Sequence, residues 1–539
     1  MSRSSDAVLR TDLVFCAATF LLMALLVCLA IYRLRPSEAA LTSAPPEQFS
    51  AGRAMQQLQE IAQKPHPVGA IEHARVGDYI RSQLSGLGVS PEVQETTGVT
   101  NILARLKGTT QGKAVILVGH YDTVMMSPGA SDDGSAVVAM LETLRALKAS
   151  PPLKNDIIFL FSDGEELGSM GAKAFVYKHP WAKDVGVVLN FEARGTSGSA
   201  IMFETSDENG WLIEQFAKAA PHPVATSLSY DIYKLLPNDT DLTIFKEAGY
   251  SGLNFAYIDG SQNYHTAFDN LANIDHNSLQ QQGAYALALA RHLGNSNLEN
   301  VRATGEVYFD LFGATLISYS ENWVLPLAGL VLLLFVGVMT LGVRRRELTV
   351  RGVLSGFVAV LASMLGTILA ATGLWWARGA LQSHRPEGGG ANADFDILIY
   401  VVTTIAVASV LYLFFFKRIM VLHLLAGGAL WWLLWMLWSS LYLQGGSYLF
   451  TWPLLFSLVA LAIVFITKDG PQFSKKHLLV LALCAAPGII LVAPIIYLTC
   501  IAMTLTSISS IVVIAVLGVL LISPLLPHLK IAALNNAER

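Results

Sequence analysis

Five side chains of metal-binding type stand at the ends of short apolar runs. They are His120 in GHYDTV, Asp132 in GASDDGSA, Glu166 in SDGEELGS, Glu192 in NFEARG and His265 in NYHTAFDN. Zinc takes imidazole and carboxylate ligands, and a catalytic zinc keeps one position open for water. Two such ions about 3.5–4 Å apart hold the attacking and leaving oxygens of a hydrolysis. A pair of that kind needs one bridging carboxylate and terminal ligands on each ion, and these five residues supply the set. A general base must also stand beside the water. Glu165 precedes Glu166, so it is held near the metals yet free to take a proton. Asp122, two residues after His120, can hold the far imidazole nitrogen, the partner that metal-binding histidines prefer. The chemistry expected is hydrolysis assisted by two Zn2+.

Each residue alone has a plain structural reading. Asp132-Asp133 before Gly134 would suit a helix N-cap with an acidic first turn. Glu165-Glu166 would suit the first turn of a helix at 166–178, Glu192 a solvated strand end, and His265 a satisfied surface histidine. Five such residues, each at a strand end or in a loop of one α/β domain, are a poor coincidence.

The elements that must position them alternate between two periods. Residues 51–64 and 71–86 read as helices. TNILARL at 100–106, AVILVG at 114–119, DIIFLF at 156–161 and GVVLNF at 186–191 read as strands, with two more near 199 and 252. Helices fall near 135–149, 168–178, 209–219, 241–248 and 277–293. Short, continuously apolar strands between helices imply an α/β fold, a mostly parallel twisted sheet with helices on both faces. His120 and Glu165 directly follow strands, where open α/β sheets build their sites.

The chain has 539 residues, is 53% hydrophobic and only 14% charged, with a mean hydropathy of +0.49. That is too apolar for a purely soluble protein. The formal charge of −4 gives no sign of nucleic-acid binding. The cysteines, Cys16, Cys28, Cys484 and Cys500, all lie in apolar runs. The site therefore has neither a disulfide framework nor a cysteine-based zinc centre.

The apolar run at 13–32 is long enough to cross a bilayer and longer than the apolar part of a cleaved signal peptide. Seven more runs follow Glu321: 323–343, 352–377, 397–416, 419–441, 449–467, 477–498 and 505–526. The sequence thus predicts an α-helical polytopic membrane domain with eight spans, the run at 477–526 being the one where Pro487 and Pro494 could hide a ninth. Placing the N-terminus in the cytoplasm puts Arg344, Arg345, Arg346, Arg351, Lys417, Arg418, Lys468, Lys475, Lys476, Lys530 and Arg539 on the cytoplasmic side. Only Arg378 and Arg385 fall in the short outside loops, as the positive-inside rule requires. The expected organisation is a cytoplasmic tail and anchor at 1–32, a linker at 33–47 and the site-bearing domain at 48–300. A connector at 301–322, seven membrane helices at 323–526 and a cytoplasmic tail at 527–539 follow. The site-bearing domain then lies outside the cytoplasm, in a periplasm or exterior if bacterial and a lumen if eukaryotic. The spans carry no Asp, Glu, Lys or Arg at their middles, with only His423 standing out, so an anchor is favoured over a transporter.

GHYDTV, PGASDDGSA, SDGEELGSMGAKAF, NFEARG and YHTAFDN, in that order, resemble the di-zinc aminopeptidases of peptidase family 28 over roughly residues 50–300. The resemblance implies that Asp132 bridges both zincs, that His120 and Glu192 complete one ion, and that Glu166 and His265 complete the other. It implies Glu165 as the base and Asp122 as the residue orienting His120. Where many soluble members carry Asp, this chain carries Glu192. The family also implies a cis peptide after the bridging aspartate, here Asp132-Asp133. PNDTDLTIF, VYFDLFGATLISYS and the multi-span tail further resemble the endoplasmic reticulum metallopeptidase and vacuolar membrane protease group. Asp241 matches a family position on the substrate side of the metals or behind them. His66 and His73, in PHPVGAIEHARVGDYI, are expected to be structural. The function implied is a membrane-anchored zinc aminopeptidase acting on peptides, with the lipid bilayer as its other partner. The alternatives are a glutaminyl-cyclase-like acyltransferase on the same fold, or a non-catalytic receptor or scaffold relative. The latter typically loses ligands or the base, and this chain has both.

Overall fold

The computed structural model describes residues 2–96, 98–382, 393–468, 470, 474–502 and 508–525. The expected outside loop around Arg385 and the expected tail with Lys530 and Arg539 lie outside the described residues. The chain divides into two compact units, Leu34–Glu321 and the combination of Met1–Arg33 with Asn322–Arg539.

After helix α1 (Ser2–Tyr32), the unit Leu34–Glu321 runs α2 (Ala51–Ile61), α3 (Ile71–Gly86), β1 (Glu92–Thr96), β2 (Val99–Leu106), β3 (Ala114–His120), α4 (Gly134–Lys148), β4 (Ile157–Ser162) and α5 (Met170–Lys178). It continues through β5 (Val185–Ala193), β6 (Ile201–Thr205), α6 (Gly210–Ala219), α7 (Ser227–Tyr233), α8 (Asp241–Glu247), β7 (Ser251–Tyr257) and α9 (His276–Leu293). A hairpin of β8 (Glu306–Leu311) and β9 (Thr315–Ser320) ends it. The sheet has seven strands in the order β1-β2-β4-β3-β5-β7-β6. The four central strands β4, β3, β5 and β7 are mutually parallel, while β1, β2 and β6 add antiparallel edges. The sheet is therefore mixed, with its parallel character confined to the centre.

Composition explains that division. Every residue of β3, β4 and β7 is buried, as continuous apolar strands covered on both faces should be. Edge strand β1, EVQET, buries none of its residues fully. The period of two separates the faces. Val115, Leu117, Ile157, Phe159, Val187 and Leu189 pack into the core shared with α2, α3, α4, α6 and α9. Ile116, Val118, Ile158, Leu160 and Val188 pack on the opposite side with Phe175 of α5 and Leu242 and Phe245 of α8.

The Pro- and Ala-rich stretch that composition marks as a linker is fastened to this unit. Ala39 and Ala40 donate backbone N–H bonds to Asn277 Oδ1 and Gln280 Oε1 of α9. Arg53 donates to the carbonyls of Thr42, Ala44 and Gln48, and Arg145 to those of Pro46 and Gln48. Both guanidiniums are held by the Glu142 carboxylate, which is fully buried. Glu142→Gln is expected to destabilise this unit by on the order of 3 kcal/mol, because two cations lose their shared buried partner. The change should appear as a lower unfolding temperature and faster cleavage within residues 39–50 by a non-specific protease. Unaltered cleavage would show that the arginines hold the strap without Glu142.

The other unit contains, after α1, helices α10 (Val324–Arg344), α11 (Val350–Gln382), α12 (Ala393–Phe416), α13 (Val421–Tyr442), α14 (Tyr448–Thr467), α15 (Lys475–Ala502) and α16 (Ile508–Ile522). Among the described residues, six helical segments are long and apolar enough to cross a bilayer: Glu321–Arg344, Val350–Ala377, Leu398–Phe416, Val421–Tyr442, Gln444–Thr467 and Lys475–Ala502. Ala17–Tyr32 and Ile511–Ile522 are shorter apolar helices. At 1.5 Å rise per residue, a helix needs about 20 residues to cross the roughly 30 Å hydrocarbon layer. Helix α15 runs unbroken through Pro487 and Pro494. His423, the one ionisable residue the sequence set apart, accepts a hydrogen bond from the Thr349 backbone N–H at 3.1 Å, in the turn between α10 and α11.

Candidate metal centre

The site grows from the carboxyl ends of the parallel strands. Strand β3 lies between β4 and β5, and the chain leaves it for β4 through α4 and reaches β5 from β4 through α5. Those helices cover opposite faces of the sheet. Connections that diverge in this way open a crevice at the strand ends, where such sheets bind ligands. His120 ends β3, Asp132 lies in the loop before α4, Glu165 and Glu166 lie in the turn after β4, Glu192 lies near the end of β5, and His265 follows β7. Helix α5 begins only at Met170, so the two glutamates sit in a loop rather than in a helical first turn.

The five metal-type residues meet. His120 Nε2 is 3.2 Å from Asp132 Oδ1 and 3.7 Å from Glu192 Oε2. His265 Nε2 is 3.2 Å from Asp132 Oδ2 and 3.1 Å from Glu166 Oε1. Two clusters that share Asp132 result, His120–Asp132–Glu192 and Asp132–Glu166–His265, and a third group, His120–Glu165–Glu166, lies between them, with donor atoms in each within 4.8 Å of one another. Asp132 turns one oxygen to each imidazole. Glu165 Oε2 lies 4.0 Å from His120 Nε2, and its side chain is 15% exposed against 10% for Glu192 and 6% for Asp132. The Asp132-Asp133 peptide is cis. His265 has a φ of +59°, a conformation that costs a non-glycine residue free energy and concentrates at functional sites. Its ring stacks on Tyr264 at 3.7 Å.

The donor chemistry fits a cation. His120 Nδ1 is 3.0 Å from the Asp122 carbonyl oxygen. An N–H donated there leaves Nε2 with its lone pair facing the Asp132 carboxylate. Glu166 Oε1 and His265 Nε2 are buried and lie 3.1 Å apart, yet they do not meet in hydrogen-bond geometry. Six carboxylates, those of Asp122, Asp132, Asp133, Glu165, Glu166 and Glu192, crowd two imidazoles. Burial and the neighbouring carboxylates of Glu165 and Asp133 hold Glu192 well above the ordinary carboxylate range. Burial, with Asp241, Asp132 and Glu166, raises Glu165 to about 8. Burial would lower His265, but Asp132 and Glu166 outweigh it and raise the imidazole to about 10. Such a set is short of positive charge, which bound cations supply.

Asp122 faces both His120 and the turn after β4. Its carboxylate is 3.5 Å from His120 Nδ1, and its backbone carbonyl is nearer, at 3.0 Å. The carboxylate accepts N–H bonds from Glu165 at 3.1 Å and Glu166 at 3.3 Å, and so fixes the turn that carries them. Asp241 opens α8, is 1% exposed, and accepts a hydrogen bond from Ser162 Oγ at the end of β4. His73 hydrogen-bonds Asp163, just before that turn, and stacks on Tyr121. The His66 backbone N–H donates to Thr123 Oγ1.

Residues that sequence reasoning did not single out hold the candidates in place. The Asp269 carboxylate accepts from the backbone N–H groups of Ser131 at 2.7 Å and Asp132 at 3.0 Å. Gln282 bonds the Glu192 carbonyl and the Ser135 hydroxyl, and Asn190 bonds the Glu192 carboxylate. Asp269 and Asn190 lie inside the quoted YHTAFDN and NFEARG stretches, four residues after His265 and two before Glu192. That proximity was the only signal available for them.

Residues 101–290 match the model of peptidase family M28. The M28 region thus contains every residue of both clusters. The chain is 34% identical over 233 residues to endoplasmic reticulum metallopeptidase 1 of Mus musculus, covering 42% of this chain and 26% of that protein. It is 33% identical over 264 residues to the vacuolar membrane protease of Candida tropicalis, covering 45% of this chain and 29% of that protein. The match thus spans between a quarter and a third of the length of these relatives. Among solved structures, an aminopeptidase from Aneurinibacillus sp. strain AM-1 matches at 14% identity and a TM-score of 0.39, over 48% of this chain and 98% of that one. A glutaminyl cyclase of Porphyromonas gingivalis matches at 21% identity and a TM-score of 0.38, over 45% and 98%.

Proposed function

We propose that this chain is a membrane-anchored, two-zinc exopeptidase, an aminopeptidase that removes N-terminal residues from peptides outside the cytoplasm. The observation that carries the reading is the sharing of Asp132 by two clusters, with the Glu165 carboxylate beside them and more open than the carboxylates around it. His120, Asp132 and Glu192 would hold one ion, and Asp132, Glu166 and His265 the other. Zinc bound there supplies Lewis acidity and makes water more acidic. Glu165 takes the proton of the attacking water and delivers it to the departing amine. Asp122, through the backbone of Glu165 and Glu166, keeps the base and its neighbour in register. The test is zinc content per chain, measured with hydrolysis of a panel of aminoacyl reporters and peptides. Two zincs with release of N-terminal residues is the expected result. One zinc at saturation, with cyclisation of N-terminal glutamine, would establish the glutaminyl-cyclase reading instead.

The proposed topology has eight spans, with both termini and the basic loops in the cytoplasm. Lys468 Nζ, in the loop after α14, pairs with Glu347 Oε2, in the loop after α10, at 2.8 Å. That pair supports placing the two loops on one side. Reporter fusions should give an extracytoplasmic signal at residue 300 and a cytoplasmic one at residue 347. A cytoplasmic signal at residue 300 would overturn the topology and the site of action together.

A further inference from the structure

Behind Glu192 a chain of buried polar side chains crosses three strands. Asn190 of β5 and Asn254 of β7 stand directly opposite each other in the parallel pair, and both are fully buried. Asparagine is poorly suited to a central strand, and its polar atoms are costly there unless partnered. Asn190 Nδ2 donates to Glu192 Oε1 at 3.1 Å and to Asn254 Oδ1 at 3.0 Å. Asn254 Nδ2 donates to Glu204 Oε2 and to Thr240 Oγ1, each at 2.9 Å. Glu204, on β6 and 2% exposed, accepts at its other oxygen from Lys246 Nζ at 2.7 Å.

We infer that Glu204 is a positioning residue for the metal centre, setting the orientation of the Glu192 carboxylate through the amides of Asn254 and Asn190. The inference rests on the reading that Glu192 is a zinc ligand. An amide has a donor end and an acceptor end, and its neighbours decide which way it faces. A carboxylate only accepts, so Glu204 turns the NH2 of Asn254 toward itself. The Oδ1 of Asn254 then faces Asn190 and turns that NH2 toward β7. The same NH2 reaches Glu192 Oε1, which leaves Oε2 directed at His120 Nε2, 3.7 Å away. Asn190 Oδ1 is left buried without a partner among the described residues. An orphaned acceptor is unfavourable, and the orientation is kept because an accept-only carboxylate stands at each end, Glu192 beside Asn190 and Glu204 beside Asn254. If the Asn254 amide reverses, its NH2 opposes that of Asn190, and the bond from Asn190 to Glu192 is set against it.

Glu204→Gln reverses that amide. Lys246 draws the new carbonyl oxygen, which points the new NH2 at Asn254. Asn254 turns over, and its NH2 then opposes that of Asn190 and works against the bond that holds Glu192 Oε1 in place. Residues that orient metal ligands typically carry about 10–100-fold in metal affinity. In the full-length chain in detergent, Glu204→Gln should weaken one of two zincs by that factor, read by competition with a chromophoric chelator. Lys246→Met leaves the Glu204 carboxylate in place and the amides unturned. It should lower the unfolding temperature while keeping both zinc affinities. Should Glu204→Gln fail to fold, Glu204→Met with Lys246→Met removes both charges and should still weaken one zinc. Wild-type zinc affinity in Glu204→Gln or in that double variant, or an equal loss in Lys246→Met, would overturn the relay. A wild-type chain that binds no zinc would instead overturn the proposed function.

Discussion

Glu165→Gln is expected to lower the rate of peptide hydrolysis by about 10²–10⁴-fold, the usual worth of general acid–base assistance. Zinc content and unfolding temperature should stay near those of the wild type. The backbone N–H of Glu165 still donates to Asp122, and that bond, not the side chain, shapes the turn. The substitution keeps size and polarity and removes only the proton acceptor. Glu166→Gln, one residue away, should behave differently. Glu166 Oε1 lies 3.1 Å from His265 Nε2 in the second cluster, and a neutral amide is a poorer zinc ligand than a carboxylate. One zinc should then be lost or weakened. If Glu165→Gln loses metal while Glu166→Gln loses only rate, the two roles are exchanged. If neither alters hydrolysis of any substrate the wild type cleaves, this site is not where the chemistry occurs.

Removing the metal, or the residue both clusters share, should affect rate and stability together. Asp132 presents one oxygen to each imidazole. Asp132→Asn replaces one of these oxygens with an NH2 group, which cannot coordinate zinc. The expected result is loss of both zincs and of measurable hydrolysis. A ligand present at about 100 times its dissociation constant stabilises the folded state by about 2.7 kcal/mol. In a unit of this size that corresponds to a shift of about 5 °C in unfolding temperature for each ion. Chelation of the wild type should lower the unfolding temperature by this amount, and zinc should restore it. In Asp132→Asn, chelator and zinc should each leave it unchanged. A variant that retains zinc and still responds to the chelator would remove Asp132 from the bridging position. The Asp269 carboxylate, which accepts from the Asp132 backbone, should keep the loop folded, so the loss reads on the side chain.

Much of this could be read from residue order because the relevant physics is local. Continuous apolar runs as short as AVILVG and DIIFLF suit central strands covered on both faces, and β3 and β4 are buried at every position. The acidic and imidazole residues at the ends of such runs could therefore be recognised as one group. Helix bounds at 71–86 and strand bounds at 114–119 follow from the pattern of apolar residues and agree with the structure within a residue. Short elements without a clear period, β1, α7 and the β8–β9 hairpin, were not legible, because their pairing partners are distant or their length is too small to show one.

What the tertiary structure decided depends on contacts between residues far apart in the chain. The antiparallel edges of the sheet are set by which strands become neighbours, and that is not written in any one strand. The stretch at 39–50 has a linker's composition, yet Glu142, about 90 positions away, organises the two arginines that satisfy its carbonyls. Asp122 lies beside His120 in sequence, and its carboxylate also reaches the turn after β4, because β3 and β4 pair in parallel and end together. Asn254 and Glu204 carry no motif at all. They are linked to Glu192 through Asn190 only because β7 pairs with both β5 and β6, and a hydrogen bond is decided by direction and distance in space rather than by separation along the chain.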